Sequence, residues 1–505
     1  MVAIGFFYWN SLSLKPSRLA NGARFEPVTC WFEGDPMVRT ECGYMTTRQG
    51  DKVVFKLPVV VIRSSRWKNS ASPMLHIAGG PGGPAYIDAD SMQYWLQNFK
   101  TQHWGIDFVL YDQRGTGLSL PFIDCPHSEQ TRLASLKIPL NASQDSAHFA
   151  QQMQRCYLQL AEKPADITHL QAISTDHSAE DIADLHDLLG VKQWVLMGVS
   201  YGTRLALAVA KRFPEKVTSL VLDSVYPPAF DGFETMVENG FKGIDKLLDY
   251  CDASADCRKQ FPEISEQFRQ ALFQLVKSPL SLQVSRENPN LISQTVSLTA
   301  HRLILLFDYA SYDSRLLKQV PAAIAAVLDS DTNNEALLRL ARNYLEIELF
   351  APFSEPVYLV TECKENGRFD MLLLRQRLQP YREAYPMLDW SSEGIFNPAV
   401  CKSWLKDLTA ASFPFRQRAI TDKPTLILSG ELDSITPVEW GRHLSQVLPN
   451  SRHLEYPNIG HSVLTSSLCA NDEVQRFLQP ELDKTTFCNS TQRANERSQM
   501  KWQIN

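Results

Sequence analysis

Gly198-Val199-Ser200-Tyr201-Gly202 lies between an apolar run, WVLM, and a helix-forming run, TRLALAVA. These five residues constrain the fold more than any other part of the chain. A serine with glycine two positions before and two positions after suits a tight turn from a strand into a helix. Side chains at those two positions would collide across the bend. Such a bend lifts Ser200 Oγ clear of the sheet. The helix that follows directs its first N–H groups at the same spot, which favours negative charge there.

The flanking sequence repeats the alternation of strand and helix. PMLHIAGGPGGPA and IDFVLYDQRGTGLS each run from an apolar strand into a Gly-rich turn, and DKVVFKLPVVVIRS reads as one or two strands. SAEDIADLHDLLG carries Ile182, Leu185, Leu188 and Leu189 at helical spacing and stops on Gly190. VTSLVLDSV reads as another buried strand. Alternation of this kind predicts crossover units and a mostly parallel central sheet, an α/β fold. The pattern stops near Pro227-Pro228 and returns at KPTLILSGELDSITP. The expected organisation is an N-terminal arm or leader remnant over 1–40 and an α/β core in two parts, 41–230 and 413–505, the second ending in a tail. A mainly helical insertion over 231–412 splits the core. It would cap the C-terminal ends of the strands, where open α/β sheets bind ligands.

Lys and Arg number 50 against 56 Asp and Glu, a net charge of −6. That balance argues against a nucleic-acid partner. No apolar run approaches the ~20 residues that cross a bilayer, so membrane insertion is not expected. None of the ten cysteines forms a CxxC pair, which disfavours a zinc ribbon or thioredoxin-type site. Cys30 with Cys42, Cys251 with Cys257, and Cys469 with Cys488 are close neighbours, and short loops of this kind suit disulfides in an oxidising compartment.

A serine nucleophile needs a base, and the base needs an orienting acid. TLILSGELD ends a buried strand on Asp433, with Glu431 as the alternative acid, and YPNIGHSVL sets His461 in a loop, with His453 as the nearest rival. Acyl transfer also needs two backbone N–H donors for the oxyanion. Tyr201, directly after the serine, supplies one. Gly80, and after it Gly79, in the loop Ala78-Gly79-Gly80-Pro81-Gly82-Gly83 supplies the other. Asp112 and Arg114 read as an ion pair or loop anchors. The chemistry calls for no metal and no organic cofactor.

Taken together, GGPGG at 79–83, YDQRGTGLS at 111–119, GVSYGT at 198–203, GELDSITP at 430–437 and GHSVL at 460–464 resemble the α/β-hydrolase fold. More narrowly, they resemble the proline iminopeptidase and tripeptidyl aminopeptidase family of serine exopeptidases. The family's usual opening has histidine directly before GGPG; Ala78 stands there, and the nearest histidine is His76. The resemblance implies an α/β-hydrolase core with a large helical cap and a triad of Ser200, Asp433 and His461. It implies a peptide substrate with a free N-terminus, whose amine is read by carboxylates on the cap side. Glu362 and Glu365, flanking Cys363, are the candidates. The larger secreted members share the late cysteines, which implies Cys363 with Cys401, Cys469 with Cys488, and a secreted or periplasmic location, with a cytoplasmic one still open. Two other readings compete: a carboxylesterase or lipase with the same triad, and a catalytically silent binding protein of the same fold. The sequence sets neither the residue released nor the oligomeric state.

Overall fold

Runs of β-branched and apolar residues build the centre of the molecule. The computed structural model describes residues 12–479, except 13, 49–52, 65–71, 103, 126–127, 289, 351, 367–369, 392–397 and 406–420. Its main sheet contains β1 (Ser17–Arg18), β2 (Arg24–Val28), β3 (Thr40–Thr46), β4 (Lys56–Ile62), β5 (Met74–Ile77), β6 (Phe108–Tyr111), β7 (Trp194–Val199) and β8 (Val217–Asp223). After a separate hairpin, β9 (Leu280–Val284) and β10 (Gln294–Leu298), the sheet is completed by β11 (Thr425–Gly430) and β12 (Ser451–Tyr456). The strand order is β1-β2-β3-β4-β6-β5-β7-β8-β11-β12. Pairing is antiparallel from β1 to β6 and parallel from β6 to β12. Leu57–Ile62 and all of β5, β6 and β11 are buried, as expected of strands covered on both faces.

Six helices matter for the site: α1 (Ala142–Ala161), α2 (Thr175–Leu188), α3 (Tyr201–Arg212), α4 (Gly232–Ala253), α5 (Ala300–Ala310) and α6 (Glu355–Asn366). In α3 every residue from Tyr201 to Ala210 is buried, and the helix joins β5, β7 and β8 in one apolar core. The chain leaves the sheet after β8 and rejoins it at β11. Between them, residues such as Phe241, Leu272, Leu303, Val327 and Leu340 form a second core that belongs to the inserted helices.

Several expectations change. Part of the expected N-terminal arm is sheet: Arg24 and Phe25 of β2 pair with Thr46 and Met45, and Phe25 is buried. β2 lies between the two-residue β1 and β3, and of RFEPV only Phe25 is fully buried. The insertion holds the β9–β10 hairpin as well as helices. The expected boundary at 412 lies outside the described residues. Cys30–Cys42, Cys251–Cys257 and Cys363–Cys401 are disulfides, and so is Cys125–Cys156, which had not been paired. That bond spans 31 residues and links the segment after β6 to α1, a separation with no local signal. Cys469 is disulfide-bonded, but Cys488 lies outside the described residues. Among the described residues no helix is long and apolar enough to cross a membrane.

Asp112 and Arg114 do not pair with each other. Asp112 accepts the N–H groups of Ala85 and Leu118 at 2.6 and 2.7 Å, which fastens the glycine loop after β5 to the turn after β6. Arg114 is fully buried and forks onto Asp181 of α2 at 2.5 and 2.8 Å, while also donating to the Ala172 carbonyl. Removing one member of a buried ion pair strands the other charge. Arg114→Met should therefore cost about 3–5 kcal/mol of unfolding free energy in urea titrations, and adding Asp181→Leu should recover much of it.

Candidate active site

Ser200 occupies the turn between β7 and α3 with φ 56° and ψ −125°. This left-handed backbone is rare for a residue with a side chain and marks a strained turn. The flanking glycines make room by backbone contact. A Cβ on Gly198 would lie 2.4 Å from the Gly202 carbonyl oxygen, and one on Gly202 would lie 2.0 Å from that of Ile77. Tyr201 opens α3, so its N–H has no partner within the helix. Its buried phenol bonds to Thr175 Oγ1 at 2.7 Å, which holds the side chain away from Ser200 and leaves the main chain at the bend. On the other side, the glycine loop presses against the serine: a Cβ on Gly79 would lie 2.9 Å from Ser200 Cβ. Gly80 has φ 115°, a conformation that glycine alone adopts readily.

Asp433 and His461 are brought together. His461 Nδ1 donates to Asp433 Oδ2 at 2.9 Å, leaving Nε2 as the acceptor face of the ring. Asp433 Oδ1 accepts the N–H groups of Ile435 and Thr436 at 2.9 and 2.8 Å, and Oδ2 also accepts the Thr436 hydroxyl at 2.7 Å. The carboxylate is thus held from both oxygens. The rival residues point elsewhere: Glu431 accepts the Tyr250 hydroxyl, and His453 Nε2 bonds to Ser429 Oγ. Burial works against the charged imidazolium. Asp433, with Asp223 and Asp308, outweighs burial and holds the His461 ring above its ordinary value of 6.5.

A residue the sequence reading passed over ties the two halves together. Ser200 N–H donates to the Asp223 carbonyl at 3.0 Å. The Asp223 carboxylate accepts the N–H groups of Val463 and Leu464 at 2.8 and 2.9 Å, and Ser224 Oγ accepts that of Ser462 at 2.8 Å. The Ser200 turn and the His461 loop are therefore both anchored on the end of β8. From the insertion side, His461 N–H donates to the Ser311 carbonyl at 2.6 Å, and the Tyr312 ring meets the imidazole edge-on.

Glu362 and Glu365 lie on α6 but are buried in a network around Arg204 of α3. Glu362 accepts from Tyr226 Oη and from Asn366 Nδ2, and burial pushes its carboxyl up to about 7 against the pull of Arg204. Glu365 accepts from the Thr175 hydroxyl and N–H and lies 3.6 Å from Arg204. Internal partners hold both glutamates in that network. The spacing around Cys363 did not reveal it, because Arg204 and Tyr226 come from distant segments. Thr436 and Asp223 could have been found. Asp-x-x-Thr before a helix signals a carboxylate that caps its own turn, and an acid ending an apolar strand next to the nucleophile strand is rarely surface.

Only a neutral imidazole accepts a proton, so the acid limb of kcat/KM should fall above pH 6.5. Asp223→Asn removes a charge that favours the imidazolium and loosens the loop. The limb should move to lower pH, and kcat should drop by roughly 10²-fold, the scale of a small misplacement of catalytic groups. Rate against pH with p-nitrophenyl acetate measures both effects.

Residues 51–329 match the family described as alpha/beta hydrolase fold, and residues 385–488 match that described as TAP-like protein. The chain is 24% identical to the tripeptidyl aminopeptidase of Streptomyces coelicolor, over 87% of this chain and 80% of that one. It is 22% identical to the serine protease Hip1 of Mycobacterium tuberculosis, over 92% and 90% respectively. Among solved structures, the proline iminopeptidase of Mycobacterium smegmatis aligns over 86% of this chain and 98% of its own, at 15% identity and a TM-score of 0.36. The first family match covers more than half of the chain, on a sheet that carries a serine at the sharp bend and an Asp–His pair beyond it: the chain belongs to the α/β-hydrolase fold family, with a TAP-like C-terminal part.

Proposed function

We propose that this protein is a serine peptidase that releases residues from the amino termini of peptides through an acyl-enzyme on Ser200. The observation that carries the reading is the Asp433–His461 pair, hydrogen-bonded at 2.9 Å and anchored through Asp223 to the strained Ser200 turn. The likeness to a tripeptidyl aminopeptidase and a serine protease over most of both chains supports a peptide as substrate.

In this scheme His461 Nε2 takes the Ser200 hydroxyl proton as Oγ attacks the scissile carbonyl carbon. Asp433 holds the Nδ1–H tautomer and stabilises the imidazolium. The N–H groups of Gly80 and Tyr201 bind the oxyanion, with Gly79 shaping the same loop. The imidazolium returns its proton to the leaving amine as the C–N bond breaks. Water then attacks the ester by the same steps, regenerating Ser200. The fixed donors supply stabilisation where charge develops, each worth about 3 kcal/mol. Four disulfides among the described residues support a secreted or periplasmic setting.

A panel of aminoacyl and tripeptidyl p-nitroanilides tests the reading. Wild type should cleave at least one class, and Ser200→Ala should lose more than about 10³-fold in kcat/KM. A fluorophosphonate probe should label wild type and not the variant. Hydrolysis of esters with no cleavage of any anilide would favour an esterase instead.

A further inference from the structure

The inserted helices enclose a cavity of about 240 Å³. α4 gives it Met236, Gly240 and Phe241, α5 gives it Ile304 and Leu305, and the 387–390 segment forms another side. Among the described residues, none of the Ser200 turn, the glycine loop or the His461 loop lines it, so it is a compartment apart from the reaction centre. Asn141, Val276 and Pro279, all exposed, bring it to the surface.

The lining decides what the compartment can hold. Phe241 and Trp390 bring an aromatic cluster to the wall, and Tyr381 and Tyr385 stack on Phe241 with centroids 5.0 and 5.1 Å away. The polar side chains are already engaged inside the protein. Asn141 Oδ1 accepts the Gln144 N–H, Thr299 Oγ1 accepts that of Arg302, Asp389 accepts the hydroxyls of Ser143 and Ser391, and His301 faces Asp145 at 3.3 Å. Asp308 Oδ1 has no partner among the described residues, but it is sealed from solvent and offers no seat. No lysine or arginine among the described residues lines the cavity. A charged guest would lose its water and find no free counterion, and an anion would also meet Asp389. An apolar cavity of roughly 150 Å³ takes benzene, so about 240 Å³ suits a bicyclic ring.

Both helical walls continue to the triad. The Asp308 carbonyl accepts from Ser434 Oγ at 3.4 Å, and a Cβ on Gly243 of α4 would lie 2.5 Å from Ser434 Cβ. Ser434 directly follows Asp433. At the end of α5 the Ser311 carbonyl accepts the His461 N–H at 2.6 Å. A guest that fills the void between α4 and α5 stiffens both helices, and both press on the loops of the acid and the base.

We propose that the α4–α5 cavity is an effector site for an uncharged aromatic molecule the size of a bicyclic ring, and that its occupancy raises turnover at Ser200 by steadying α4 and α5 against the Asp433 and His461 loops. The proposal goes beyond the peptidase reading and does not depend on it.

Indole is the probe, and indole-3-acetate is its anionic control. In calorimetry with Ser200 blocked by fluorophosphonate, indole should bind wild type, and indole-3-acetate should bind at least about tenfold more weakly. Ile304→Trp fills the cavity from α5 and should weaken indole binding by about tenfold or more. Val276→Trp crowds the mouth from an exposed position and should also weaken it, even if Ile304→Trp fails to fold. With unblocked wild type and p-nitrophenyl acetate, saturating indole should raise kcat by about twofold or more and leave KM unchanged. No binding of indole, equal binding of indole-3-acetate, or indifference to both substitutions would overturn the proposal. So would binding without a rise in kcat, and so would a rise in KM alone, which would put indole in the reaction centre. No peptide is used, so an enzyme that cleaves no anilide loses the peptidase reading and leaves this test intact.

Discussion

Ser200 N–H donates to the carbonyl of Asp223, while the carboxylate of that same residue receives the N–H groups of Val463 and Leu464. The rest of the catalytic end depends on this short chain of hydrogen bonds. Asp223 ends β8, the parallel neighbour of β7, so the sheet's register sets its height beside the nucleophile. Its side chain then reaches a loop more than two hundred residues further along. An uncompensated carboxylate at that depth would be costly, and the two N–H groups with Ser224 offset the cost. A buried polar contact of this kind is directional, as apolar packing is not, and it fixes the relation between two segments that share no local sequence.

The inserted helices take part in the site as well as covering it. Gly460 packs so tightly on Ser311 that a Cβ there would lie 2.1 Å from the carbonyl oxygen. The next residue, His461, gives its own N–H to that carbonyl. On the opposite side, Ser354 N–H donates to the Gly82 carbonyl, so the segment leading into α6 is stitched to the glycine loop beside Ser200. The core carries Ser200, Asp433 and His461, and the insertion holds the His461 loop and the glycine loop beside Ser200.

Much of this could be read from residue order. Strands that carry Val, Ile and Leu almost without interruption announced a sheet buried on both faces, and the glycines at 198 and 202 announced the bend between β7 and α3. Asp433 and His461 followed from their places after strands. What escaped was non-local. The Cys125–Cys156 bond, the Arg114–Asp181 fork and the Arg204–Glu362–Glu365 network each join segments whose separation leaves no trace in local pattern. Glu362 and Glu365 look like exposed carboxylates in sequence because their neutralising arginine is on another helix. Phe25 escaped because it is the one fully buried residue of a short strand, between Arg24 and Glu26.

The bond from His461 N–H to the Ser311 carbonyl also limits how the molecule can open. A roof that swung away as one rigid piece would strip the base's own backbone of its partner and disturb the imidazole it was meant to uncover. Any opening that leaves the imidazole in place must therefore keep the contact between Ser311 and His461.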